Sequence, residues 1–238
     1  MFSDPFGFLL SIVFLLPAIV IAVPAHEIGH VLVATWQGDS SARNRLLLRR
    51  EPRQFFTQYG LLMIIFWKVG WGAQAPINES RLRGTWGRIA YALGGPLANL
   101  ALAIVFGLLT RSLLAQGGFP SPSTVPRSLL GLLATIVYAI FFLNLSMFAF
   151  NLLPVPGFDG WRIVETLFRR QNLRFFIDVS SRTLQIQQIL LLGVFAAQFV
   201  GLRLLDTVMI PFYWPAATLI IGTCTGYPGL FPCPLSAG

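Results

Sequence analysis

The sequence predicts an α-helical polytopic membrane protein with about five transmembrane helices and a small membrane-associated β segment between the first two. Three observations lead there. Of 238 residues, 55% are hydrophobic and only 11% charged, where a soluble domain carries about 25% charged residues. That excludes a soluble globular enzyme and a disordered chain. Long uncharged stretches cover 89–110, 128–158, 183–202 and 207–238, and 5–38 holds only Glu27. About 20 apolar residues at 1.5 Å each cross the ~30 Å hydrocarbon layer, so these are span-length gaps. Finally, the basic residues that produce the net charge of +8 fall mostly in two stretches between apolar segments. This is the charge pattern of membrane topology and not of a nucleic-acid surface.

The elements follow in order. Span 1 is expected over Phe6–Ala34; Met1–Gly7 has no basic residue, so it lacks the n-region of a signal peptide and the span should persist in the mature protein. A basic run (Arg43, Arg45, Arg49, Arg50, Arg53) comes next. The apolar run Tyr59–Trp67 is too short to cross as a helix and reads as a strand or a membrane-dipping segment. Gly70-Trp71-Gly72 and Pro76 then punctuate the expected β region. Span 2 is Ile89–Leu109, interrupted by Gly94-Gly95-Pro96, and span 3 is Leu129–Leu153. Span 4 is Leu184–Gly201, and span 5, Thr207–Cys224, contains Pro211 and Pro215, which suit a broken or re-entrant helix. Residues 1–224 read as one membrane-embedded domain and 225–238 as a Gly/Pro-rich tail. Cys224 and Cys233 are too few and too peripheral for a disulfide framework or a thiolate metal site.

Basic residues accumulate on the cytoplasmic side of a membrane. Segment 35–88 has nine and 154–182 has five, against Arg111, Arg127 and Arg203 on the other side. The N-terminus is then outside, and the C-terminal ends of spans 1 and 3 face the cytoplasm.

The chemistry concentrates in His26-Glu27-Ile28-Gly29-His30, which holds both histidines of the chain. The i, i+4 spacing puts the imidazoles on one helical face, where they can share a metal, with Glu27 beside them to take a proton from a water that the metal activates. Polar residues of this kind are costly within a span unless they pair or ligate. The alternative is a polar cluster that hydrogen-bonds helices together. Catalytic zinc takes three protein ligands, so with no third histidine the third must be a carboxylate. Asp159 stands out at the cytoplasmic end of span 3, after a Pro/Gly-rich turn, but Asp159 also suits an N-cap for 161–170, and spacing does not choose between the two. Asn99 within span 2 can hold an oxyanion or make an interhelical hydrogen bond, and Asn144 and Asn151 carry the same two readings.

Together these elements resemble the site-2 protease family of intramembrane zinc metalloproteases. Three motifs carry the resemblance: His26-Glu27-Ile28-Gly29-His30, Gly95-Pro96-Leu97-Ala98-Asn99, and the run from Asn151-Leu152-Leu153-Pro154 to Phe158-Asp159-Gly160. The resemblance implies one Zn2+ held by His26, His30 and Asp159, Glu27 as general base and acid, and Asn99 as a transition-state donor. It implies an endopeptidase acting on transmembrane protein substrates in the lipid bilayer, with no nucleic-acid partner. The expected setting is a bacterial inner membrane, with the active site toward the cytoplasm. Gly72, Ala73, Gln74 and Ala75 fall in what looks like the family's β segment and are the expected substrate-binding residues. Phe158 stands where Leu is usual and Gly157 where Pro is frequent, which bears on how Asp159 is aimed. The short loops imply a compact member without a PDZ domain or a C-terminal regulatory domain.

Overall fold

A computed structural model of the chain describes residues 4–40, 52–73, 77–121, 123–202 and 204–222. The first helix, α1, spans Pro5–Gln37; the Asp4 carboxylate accepts the Gly7 N–H at its start, and Gly38 closes it in the left-handed conformation at φ 116°. After a 3-10 turn at Pro52–Phe55 comes α2, Gln58–Trp67, then α3, Gly84–Ala115, and α4, Leu129–Asn151. Four helices follow: α5 (Asp159–Phe168), α6 (Leu173–Ser181), α7 (Thr183–Phe199) and α8 (Leu204–Ile221).

Helices α1, α3 and α4 pack against one another and form the centre of the molecule. Glycines let α1 and α3 approach closely: a Cβ on Gly94 would lie 2.7 Å from the Gly29 carbonyl oxygen, and one on Gly29 would strike the Gly94 carbonyl. The outer face of α1 exposes Leu9, Val13, Leu16 and Val20, and α3 exposes Leu97, Ile104, Val105 and Leu108. Apolar residues outside and buried polar residues inside (His26, Glu27, His30, Asn99, Asn144) invert the soluble pattern, as lipid-facing helices around a polar centre require.

Several expectations need correction. Among the described residues, α1, α3 and α4 are the helices long and apolar enough to cross a bilayer. At the expected fourth and fifth spans lie α7 and α8, apolar helices of 17 and 18 residues, about 26 and 27 Å long. The helices run through Pro96, Pro211 and Pro215, because packing and the intact turns on either side outweigh one missing hydrogen bond. Of the two readings of Tyr59–Trp67 the strand is not found: the run lies in α2, a short apolar helix, which Thr57 caps by accepting the Gly60 N–H. No β sheet forms among the described residues. In its place a single antiparallel bridge joins Phe56 and Gly72, with the Ala73 N–H donating to the Phe55 carbonyl at 2.8 Å. Gln74, Ala75, Pro76, the run 41–51 and the tail lie outside the described residues.

Candidate metal centre

Three helices build the centre. His26 and His30 sit one turn apart on the buried face of α1, and Asp159 begins α5. The His26 and His30 Nε2 atoms are 3.2 Å apart, and Asp159 Oδ2 is 3.0 Å from the first and 3.2 Å from the second. Four-coordinate zinc with N and O ligands at about 2.0–2.1 Å sets neighbouring ligand atoms about 3.3 Å apart. The observed triangle therefore matches one face of a zinc tetrahedron.

The other ring nitrogens explain why a cation belongs there. His26 Nδ1 is 2.6 Å from Asn99 Oδ1, and His30 Nδ1 is 2.7 Å from the Tyr91 carbonyl oxygen. Both partners are acceptors, so each Nδ1 carries the hydrogen and a neutral ring turns an Nε2 lone pair to the centre. Asp159 Oδ2 is buried and, although ion-pair close to both rings, receives no well-directed hydrogen bond. Three lone-pair donors facing one another at this distance repel unless a cation lies between them. Space is left as well: a Cβ on Gly95 would lie 2.6 Å from His26 Nε2 and also strike His30 Nε2. The residues present thus fit zinc.

The chain after α4 aims Asp159. Gly157 turns the backbone at φ 95°, and Phe158, buried, inserts its ring 4.7 Å from Phe150 and 5.1 Å from Trp71, centroid to centroid. On the other side, a Cβ on Gly160 would collide with the Leu152 carbonyl. Phe158 is the N-cap residue and Asp159 the first helical residue, a position where the helix dipole favours a carboxylate. The N-cap alternative for Asp159 is therefore displaced by one residue.

Asn99 is fully engaged. Besides facing His26, its Nδ2 donates to the Ala22 carbonyl at 3.0 Å and to Asn144 Oδ1 at 2.9 Å, so both amide hydrogens are in use. The expected donation to a transition state has no free N–H in this arrangement. Asn151 Nδ2 donates to the Gly70 carbonyl at 3.2 Å and to Met147 O at 2.9 Å, tying α4 to the segment before the bridge. Glu27 is buried, and Gly72 passes so close that a Cβ there would lie 2.9 Å from Glu27 Oε1. A cavity of about 830 Å³ opens beside this segment, lined by Gly72, Ala73, Tyr91, Gly157 and Trp161 among others.

Two contributors escaped the sequence reading. Tyr91 acts through its backbone carbonyl, which no residue-type pattern reveals. Gly95 is legible as a packing glycine, but its place over the imidazoles depends on how α3 crosses α1.

A buried two-histidine, one-carboxylate centre with an adjacent glutamate defines a metal-dependent hydrolytic site on membrane-type helices. Comparison with known proteins agrees: the family model "Peptidase family M50" matches residues 14–126 and 127–194. The chain belongs to this family of zinc metalloproteases, and zinc is its cofactor. It is 29% identical over 159 residues to YwhC of Bacillus subtilis (strain 168), covering 65% of this chain and 68% of that protein. It is 30% identical over 173 residues to Rip2 of Mycobacterium tuberculosis (strain ATCC 35801 / TMC 107 / Erdman), covering 71% of this chain and 62% of Rip2. Rip2 of Mycolicibacterium smegmatis (strain ATCC 700084 / mc(2)155) is 28% identical over 145 residues, covering 59% and 51%. All three are provisionally named zinc metalloproteases. The matches span roughly half to two thirds of the relatives' own lengths. No solved structure gives a significant match.

Proposed function

We propose that this protein is an intramembrane endopeptidase that hydrolyses peptide bonds in or beside transmembrane segments of other membrane proteins. The carrying observation is the triangle of His26 Nε2, His30 Nε2 and Asp159 Oδ2, placed with Glu27 among helices whose outer faces are apolar. In this reading His26, His30 and Asp159 hold zinc, which when bound polarises the scissile carbonyl and acidifies water. The Glu27 carboxylate accepts the proton from the attacking water and delivers it to the leaving amine. Asn99 is a positioning residue: its Oδ1 fixes the His26 tautomer and ring plane, while Asn144 and Ala22 hold the amide.

A peptide bond must leave its helix to be cut, and its freed backbone groups then need partners in the membrane. The Phe56–Gly72 bridge supports such a place. Its flanking bond runs from Ala73 N to Phe55 O, so Gly72 turns its own N–H and C=O to the opposite edge. Gly72 itself lies close to Glu27. Strand addition along Gly72 and Ala73, continued over Gln74 and Ala75, is the substrate-binding mode proposed here. The proposed topology keeps the N-terminus outside and the centre toward the cytoplasm of a bacterial inner membrane, on the strength of the arginine count.

The test is a comparison of membrane proteomes from cells carrying the wild type or Glu27→Gln. Proteins uncleaved only in the variant, with cut sites in or beside an apolar span, support the reading. Identical proteomes, or cut sites confined to soluble regions, overturn it.

A further inference from the structure

The cavity beside the Gly72–Ala73 edge has an uneven charge. Its lining includes Arg88, Arg162, Arg169 and Arg170 against Glu79 and Glu165. Two arginines are already answered: Arg162 lies 3.8 Å from Glu79, with its guanidinium 5.4 Å from the centre of the Tyr91 ring, and Arg169 lies 3.4 Å from Glu165. Arg88, on α3, and Arg170, just past α5, are exposed and have no ion-pair partner among the described residues. The same wall holds Trp161, whose Nε1 is buried without a hydrogen-bond partner. A buried indole N–H left without an acceptor is disfavoured, and such an orphan beside a cavity calls for an acceptor brought by a ligand.

We propose that this cavity binds an acidic stretch flanking the substrate's transmembrane segment. Arg88 and Arg170 select its carboxylates, and the Trp161 N–H donates to a carboxylate or carbonyl of the same stretch. This rests on the endopeptidase reading above and adds to it a substrate class. The usual enrichment of arginine on one side of a membrane accounts for how many arginines there are. It does not account for two unanswered ones facing a cavity that also holds an orphan donor. A peptide fits the site better than an anionic lipid headgroup, because the cavity leads to a backbone edge at Gly72, and a headgroup has no ladder of amides to pair with it. Most membrane segments carry basic residues on the cytoplasmic side, so this site would also reject most helices it meets.

The experiment uses the full-length, zinc-loaded Glu27→Gln protein in vesicles. The probes are synthetic transmembrane peptides of one apolar sequence flanked by four Glu, four Gln or four Lys. In vesicles of neutral phosphatidylcholine the Glu-flanked peptide should bind at least about tenfold more tightly than the Lys-flanked one, the effect of one retained charge-assisted contact. Arg88→Gln with Arg170→Gln should reduce that preference to about twofold. Trp161→Phe, which keeps a ring but loses the N–H, should weaken binding of the Glu-flanked peptide about three- to tenfold. Equal affinity for the three flanks overturns the proposal. So does a preference that survives the double arginine variant. If the double variant instead loses enrichment of phosphatidylglycerol around the protein in mixed-lipid vesicles while the peptide preference stays, the arginines serve a lipid surface and the proposal fails. Wild-type protein that discriminates between flanks but cleaves none of the peptides would sink the endopeptidase reading alone.

Discussion

Asn99→Ala separates a positioning role from a transition-state role. In the native arrangement three hydrogen bonds meet at this side chain: to His26 Nδ1, to the Ala22 carbonyl and to Asn144 Oδ1. Truncation leaves the His26 N–H and the Asn144 oxygen buried without partners, and each such group costs about 1–3 kcal/mol of stability. The His26 ring also loses the contact that fixes its plane, and loss of an outer-shell partner of this kind costs about 10- to 100-fold in metal affinity, or about 1.4–2.8 kcal/mol. Asn99→Asp keeps an acceptor for His26 Nδ1 but loses both donors, so it should bind zinc more tightly than the alanine variant while remaining less stable than the wild type. The assay is competition for zinc against a chromophoric chelator, with purified full-length protein. If Asn99→Ala keeps zinc affinity within about twofold while turnover falls about 100- to 1,000-fold, the size of effect seen when an oxyanion donor is removed, the positioning argument is wrong.

Other outcomes follow from the same geometry. Glu27→Gln should retain stoichiometric zinc by metal analysis and lose turnover, whereas His26→Ala, His30→Ala and Asp159→Ala should each lose the metal, since three ligands are the minimum set. Gly95→Ala places a methyl against both Nε2 atoms, so zinc content should fall with little change in helicity by circular dichroism. Phe158→Ala empties a buried site between Phe150 and Trp71 and should destabilise the protein by about 3–5 kcal/mol in chemical denaturation, with zinc affinity falling as Asp159 loses its anchor. Ala73→Pro removes the donor to Phe55 O and should slow cleavage of transmembrane substrates at unchanged zinc content; equal rates would count against strand addition. Single cysteines at Arg170 and Ser121 should label from opposite sides of the membrane, and labelling from one side would refute the proposed topology.

What was legible in the sequence depended on how local the determinant is. His26 and His30 lie four residues apart on one helix, so their shared face follows from helical geometry. Asp159 lies 129 positions beyond His30, and its side-chain direction is set by the Gly157 turn and the Phe158 anchor. Residue spacing therefore left two readings open, and motif resemblance was needed to favour a ligand. The engagement of Asn99 was beyond reach, because it depends on Ala22 and Asn144, on two other helices. Gly70-Trp71-Gly72 suggested a β segment because glycines punctuate a short apolar run, but among the described residues one bridge forms and no sheet. The helical form of Tyr59–Trp67 did carry a cue: Thr57 stands just before the first helical residue, as N-caps do.

The account stands or falls on the ligand set. X-ray absorption at the zinc edge of the purified full-length protein measures it directly. The expected spectrum is that of one four-coordinate zinc per chain with only nitrogen and oxygen neighbours at about 2.0–2.1 Å and the multiple scattering of two imidazoles, and Asp159→Ala should abolish it. A sulfur shell at about 2.3 Å, a single imidazole, or an unchanged spectrum in Asp159→Ala would contradict the centre described here.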